Sequence, residues 1–325
     1  MKKLILLFSI ILFCFCSCKD KHDYTPATLE ISEDAFDDCF NISNYNVDHE
    51  DQITDEDKLR TMKQHKFTHV YISYGGDALG VWELPCSIPI LDVANSSSGI
   101  DAVDTLYDNT YINIVPCFKK NGQSSTIKGY GFIKSYKYPV RLCKGKTIQI
   151  TKESMQDFYE YHKYSSFKLI EPFTSQNTFS PHTPFVSVAN FNCILDPDDA
   201  SNRIGLIHLT SDSLHESFEV ATPEINLATN YQTYLEIRYK CDNDLNIEIY
   251  APNYISVYPC GGLYATSKWQ TAYINLDEHL INIYQSGSVF PGSINIKVLL
   301  SGARLNDQDT EYYIDYVKII TGPQS

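Results

Sequence analysis

Tyr234-Leu235-Glu236-Ile237-Arg238-Tyr239-Lys240 alternates apolar and polar side chains along its whole length. A period of two sends successive side chains to opposite faces of an extended chain, so the stretch reads as a β-strand. The same period recurs in Leu245-Asn246-Ile247-Glu248-Ile249-Tyr250, Ile294-Asn295-Ile296-Lys297-Val298-Leu299 and Tyr313-Ile314-Asp315-Tyr316-Val317-Lys318-Ile319. Many short strands separated by turn signals indicate a sandwich or jelly roll. Ser301-Gly302 and Asn306-Asp307 are expected to mark the turn before the last strand.

The N-terminal half carries the same signal. His69-Val70-Tyr71-Ile72-Ser73-Tyr74, Tyr111-Ile112-Asn113-Ile114-Val115 and Lys146-Thr147-Ile148-Gln149-Ile150 alternate, and Pro85, Pro89, Pro116 and Pro139 sit at run ends. Thr54-Asp55-Glu56-Asp57 is expected to cap one short helix running through Met62, with acids favourable at its start. Residues 91–110 are rich in Ser, Gly, Asn and Asp and read as an exposed loop insertion, and residues 151–184 as a strap and linker.

The chain has 325 residues, enough for two domains, with 13% aromatic and 20% charged residues. That balance permits a packed core and excludes wholesale disorder. Tyr (24) far outnumbers Trp (2), a bias that suits pleated, half-buried surfaces. The formal charge of −14 makes nucleic acid or anionic lipid a poor partner, because both require clustered Lys and Arg.

Lys2 and Lys3 precede an apolar run from Leu4 to Phe15, interrupted only by Ser9. About a dozen apolar residues match a signal-peptide core, whereas a spanning helix needs about 20. The run ends Phe15-Cys16-Ser17-Cys18. A small residue directly before a Cys resembles the lipobox of bacterial lipoproteins, which implies cleavage after Ser17 and lipidation of Cys18. The alternative is a plain secretory signal. Lys19-Asp20-Lys21-His22-Asp23 partly resembles the surface-export signal of Bacteroidota lipoproteins, with Lys21 breaking its acidic pair. The expected location is the outer membrane, lipid-anchored and exposed at the cell surface. Cys14, Cys16 and Cys18 belong to this segment, and seven Cys residues remain, an odd number that leaves at least one thiol unpaired within the chain.

Two further segments are recognisable together: Leu79-Gly80-Val81-Trp82-Glu83-Leu84-Pro85, and Asn113-Ile114-Val115-Pro116-Cys117-Phe118-Lys119-Lys120-Asn121-Gly122. With Pro26 to Ile31 and Tyr138-Pro139, they resemble an uncharacterised family of Bacteroidota surface lipoproteins with a GxxELP…PxxKxNG pattern. The resemblance implies an Ig-like or PEGA-like β domain followed by a jelly roll. The expected division is a signal at 1–17, a tether at 18–27, an Ig-like domain at 28–165, a strap at 166–184 and a jelly roll at 185–321. Cys86 and Cys117 stand where the family has small residues. Both fall at the ends of strands expected to be neighbours, so a Cys86–Cys117 disulfide is expected, against the alternative of two buried thiols. Tyr234 to Lys240, Trp269 to Leu276 and Tyr313 to Lys318 resemble galactose-binding-like jelly rolls, a fold shared by many carbohydrate-binding modules, although fold alone does not license function.

Catalytic signatures are absent: there is no GxSxG, HExxH, GxGxxG or Walker A loop. Ser125/Lys128 and Ser165/Lys168 match SxxK without the companion motifs that would give the serine a role. His65 and His69 are the one ligand-like histidine pair, and both are expected to be solvated. No cofactor is expected apart from a structural calcium. Its candidate ligands are Asp196, Asp198 and Asp199, with the acids around Asp48 to Asp57 as a second cluster; neither has EF-hand spacing. Tyr254, Tyr258 and Tyr264 surround Gly261-Gly262 in a stretch expected to be irregular, where sugar-contacting loops would lie. Trp269 is expected in the core. These features favour a non-catalytic surface lipoprotein, anchored to the membrane by its lipid, that binds glycan or an outer-membrane protein. An accessory subunit of an outer-membrane assembly or export complex is the alternative, and a glycoside-active enzyme is disfavoured.

Overall fold

The computed structural model describes residues 25–48, 53–91, 111–134, 137–182, 191–211, 217–252, 256–285 and 292–323. The signal, Cys18 and nearly all of the 91–110 insertion lie outside them.

The chain is all-β: an N-terminal Ig-like sandwich is followed by a C-terminal jelly-roll sandwich. In the first, β1 (Ala27–Ile31) runs between β4 (Cys86–Ile90), antiparallel, and β8 (Thr147–Ile150), parallel. Opposite lies a sheet of β2 (His69–Tyr74), β3 (Asp77–Glu83), β5 (Tyr111–Lys119), β6 (Ile127–Gly129) and β7 (Lys137–Pro139). Short helices α1 (Ile42–Asp48), α2 (Glu56–Lys63) and α3 (Lys152–Met155) connect the strands. As the sequence predicts, Asp55 caps α2, accepting hydrogen bonds from the Asp57 and Lys58 amides at 3.0 and 3.1 Å.

The jelly roll pairs two six-stranded sheets. One orders β11 (Phe191–Leu195), β12 (Arg203–Leu209), β20 (Thr310–Pro323), β15 (Tyr231–Cys241) and β18 (Thr266–Asn275), with β9 (Ser166–Glu171) beside the C-terminal half of β20. The other orders β10 (Ser180–Pro181), β13 (Ser217–Ala221), β19 (Ser293–Ala303), β16 (Leu245–Ala251) and β17 (Ser256–Leu263). There β14 (Ile225–Ala228) also pairs with β19, and α4 (Asp277–Gln285) follows β18. Leu235, Ile237, Ile314 and Ile319 from one sheet meet Ile247, Ile249, Val298 and Leu300 from the other in a single buried cluster. Burying each such side chain contributes about 1.5–3 kcal/mol.

Two local expectations change. Ser301 and Gly302 lie inside β19 and not in the turn, which falls after Ala303. Gly302 is there for space: a Cβ would come within 2.7 Å of Phe218 and Tyr312, both buried. The stretch around Gly261-Gly262 is strand β17, with a bulge opposite Ile247 and Glu248 and an extended positive φ of 152° at Gly261.

The predicted Cys86–Cys117 pairing is not made. Both are free thiols, and β4 and β5 belong to different sheets, so the expected strand adjacency does not exist. Cys117 is buried and its Sγ contacts the Val115 carbonyl at 3.3 Å. Burial pushes both thiols up to about 11.

The two sandwiches meet on the jelly roll's β15–β18–β20 sheet. Phe118 of β5 stacks on Tyr273 of β18 at 4.4 Å and meets Tyr234 edge-on at 5.3 Å. The Asn121-Gly122 turn after β5 has positive φ at both residues. Its Asn121 amide donates to the Tyr273 carbonyl and its Oδ1 accepts from the Asn275 amide, both at 2.8 Å. Gly302→Ala should lower unfolding free energy by about 1–3 kcal/mol through overpacking, read from a urea titration.

Candidate functional site

The face of β15 opposite the jelly-roll core carries Glu236, Arg238 and Lys240, the polar half of the period-two pattern. Glu236 lies directly across from Lys318 on β20, and their charged atoms are 3.2 Å apart with both side chains almost wholly buried. Lys318 also donates to the Thr61 carbonyl at 3.2 Å and to that of Gln64, the C-cap of α2. A strand of the jelly roll thus supplies the cation that satisfies a helix C-terminus in the first sandwich. His65 Nδ1 is 2.9 Å from Glu236 Oε2, and the Tyr316 hydroxyl donates to Glu236 Oε1 at 3.0 Å. Phe40, Phe67 and Tyr130 enclose the imidazole at 4.5–5.4 Å.

The three groups shift one another's titration. Burial lowers Lys318 to about 8 although Glu236 pulls upward. Burial also pulls His65 down, with Glu236 opposing. For Glu236 burial acts upward, yet the charges of His65 and Lys318 and its hydrogen bonds leave the carboxyl below its ordinary value. The expectation that His65 and His69 are solvated is therefore corrected: both are buried, His65 among aromatic rings and His69 with its Nδ1 2.8 Å from the Thr68 hydroxyl.

A cleft of about 500 Å³ opens over this cluster, between the sandwiches. The first sandwich contributes Asp37, Asp38, Lys63, Lys66 and Lys152, and the jelly roll Arg238, Trp269, Gln270, Thr271 and Tyr316. Trp269 is half-buried on β18 and not in the core, because it shares a face with Thr271 and Tyr273 while Ala272 and Ile274 take the core side. The Arg238 guanidinium and Lys240 ammonium lie 5.0 and 5.3 Å from its ring centroid, and Lys240 lies 4.8 Å from that of Tyr313. Arg238 pairs with Asp315, which accepts from Asn202 at 2.8 Å. An indole edged by hydroxyl, amide and charged groups offers both an apolar platform and hydrogen-bond partners.

The residues singled out in the sequence lie elsewhere. Tyr258 packs against the edge of the jelly-roll core, Tyr264 is 81% exposed, and Tyr254 lies outside the described residues. Asp196 and Asp199 accept from the Asp198 and Ser201 amides at 2.9 Å, and Asp198 pairs with Lys240 at 2.7 Å. Their carboxylates are thus engaged separately, and no group of three ligand-type residues that could hold a metal occurs among the described residues. Among the acids near α2, Asp55 is the helix cap, and Glu50 and Asp51 lie outside the described residues.

No family model and no curated protein matches the chain. Among solved structures it is similar to family 29 carbohydrate-binding modules. A CBM29-2 mutant complexed with mannohexaose shares 8% identity over 49% of this chain and 93% of that chain, with a TM-score of 0.30. A second mutant complexed with cellulohexaose gives the same values, and another family 29 module matches at 8% identity over 49% and 90%, also at 0.30.

Lys318→Met should cost about 3–5 kcal/mol of stability, since it strands a buried carboxylate and uncaps α2. Adding Glu236→Gln should cost less than the two single effects summed; a double-mutant cycle in urea measures that coupling.

Proposed function

We propose that the protein is a non-catalytic glycan-binding module whose binding surface is the cleft between the sandwiches. The carrying observation is Trp269: the indole is half-buried at the cleft edge, beside Arg238, Gln270 and Thr271. A pyranose ring packs its C–H face on an indole while its hydroxyls engage amides and charges alongside, which is what this wall presents. The sequence-based choice of the tyrosines near Gly261 gives way in this proposal to Trp269.

The proposal extends to location and family. Cys18 carries the lipid, the chain stands at the outer-membrane surface, and it belongs with the uncharacterised lipoproteins that share the GxxELP and KxNG segments. Support comes from the Ser17-Cys18 junction after the apolar run and from Leu79 to Gly122. Residues 28–165 and the jelly roll, which begins with β9 at Ser166 where a strap over 166–184 is expected from the sequence, then form the two modules that share the cleft.

Trp269→Ala should reduce retention on an immobilised polysaccharide by at least about tenfold while leaving the melting temperature nearly unchanged. Equal retention by both proteins would remove the cleft from consideration. Cys18→Ala should abolish incorporation of labelled palmitate, and protease treatment of intact cells should digest the wild-type protein.

A further inference from the structure

The cations lining the cleft are already paired with carboxylates. Lys63 pairs with Asp157 at 2.6 Å, Lys152 with Asp38 at 2.7 Å and Lys66 with Asp37 at 3.6 Å. On the opposite wall Arg238 pairs with Asp315, and beside Trp269 Lys240 pairs with Asp198. Beneath them His65 and Lys318 are held by Glu236. Every lysine and arginine lining the cleft therefore already has a carboxylate partner, and Glu33 adds a further negative charge to the lining. The whole chain carries −14.

An anionic ligand entering this cleft would have to separate an existing ion pair and work against the surrounding negative charge. A hydroxyl group faces neither cost. It donates to a carboxylate and accepts from an ammonium, so it joins a pair without breaking it. The two walls also come from different sandwiches, with Lys66 and Asp37 on one and Trp269 and Gln270 on the other. The polar face continues from Trp269 on β18 across β15 and β20 to Asn202 at the start of β12, about 14 Å at ordinary strand spacing. That length exceeds a single sugar ring.

We infer that the cleft takes an uncharged, hydroxyl-rich glycan chain of several sugars, gripped between the two sandwiches, and discriminates against uronate- or sulfate-bearing chains. The inference rests on the glycan-binding proposal and specifies its ligand.

The test uses the full chain without its signal on an array of neutral polysaccharides, each printed beside its sulfated and carboxymethylated derivative. Hits are followed by calorimetry at low and high NaCl. Binding to a neutral polysaccharide at least about tenfold tighter than to its charged derivatives, with less than about a twofold change on adding salt, is the expected result. Tighter binding to the charged derivatives, weakened by salt, would overturn this inference while leaving glycan binding intact. Binding to neither class would overturn both. The paired substitution Asp37→Ala with Lys66→Ala keeps the net charge and removes part of the first sandwich's wall. It should weaken neutral-chain binding by about tenfold with an unchanged unfolding curve; unchanged binding would refute the two-sided grip.

Discussion

The Glu236–Lys318 pair is the constraint around which the two sandwiches are arranged. Neither charge could be buried alone, since isolated ions in a low-dielectric interior cost many kcal/mol. Each is satisfied only because the first sandwich closes over the jelly-roll sheet. His65 approaches Glu236, and the carbonyls of Thr61 and Gln64 receive Lys318. Withdrawing α2 would leave an uncapped helix end and an under-partnered lysine, so the interface is held by geometry as well as by its aromatic contacts. The contribution is specificity of docking more than raw stability, because desolvation offsets much of the Coulomb attraction.

That docking gives the jelly-roll sheet two kinds of outer surface. Where Tyr234, Tyr273 and Ile320 lie, it is covered by the first sandwich and joins that sandwich's core. Farther along β15 and β18 the cover ends, and Arg238, Lys240 and Trp269 remain at the cleft and beyond it. The bulge between Arg238 and Tyr239 falls at this transition, placing Arg238 opposite Tyr316 and Tyr239 opposite Ile314. Asp315 is the extra residue, and it turns to the outer face to meet Arg238. A local irregularity in the ladder thereby places charge beside the indole.

Strand positions were legible because period two is a local property. His69 to Tyr74, Tyr234 to Tyr239 and Tyr313 to Ile319 are strands where the alternation says so. The pattern assigns residues to faces and is silent about what covers each face. Glu236 and Lys318 lie on the face away from the jelly-roll core, and a second sandwich buries them there. Trp269 offered a usable signal: counting back by two from Tyr273 puts it opposite Ala272 and Ile274, on the face away from the jelly-roll core. The sequence-based expectation puts it in the core, but the register decides the face. The tyrosines near Gly261 drew notice because glycines suggest a loop, whereas a bulged strand accommodates both glycines.

The sequence by itself determined the all-β class, the approximate strands, the cap of α2 and the alternation that separates core from outer face. These follow from side-chain chemistry and backbone periodicity acting over a few residues. Only the tertiary structure decided that His65, Glu236 and Lys318 form one buried cluster, that Cys86 and Cys117 lie on strands of different sheets, and that Trp269 edges a cleft facing Asp37 and Lys66. Those outcomes join residues separated by up to about 250 positions, and such contacts depend on how sheets dock, which no local pattern encodes.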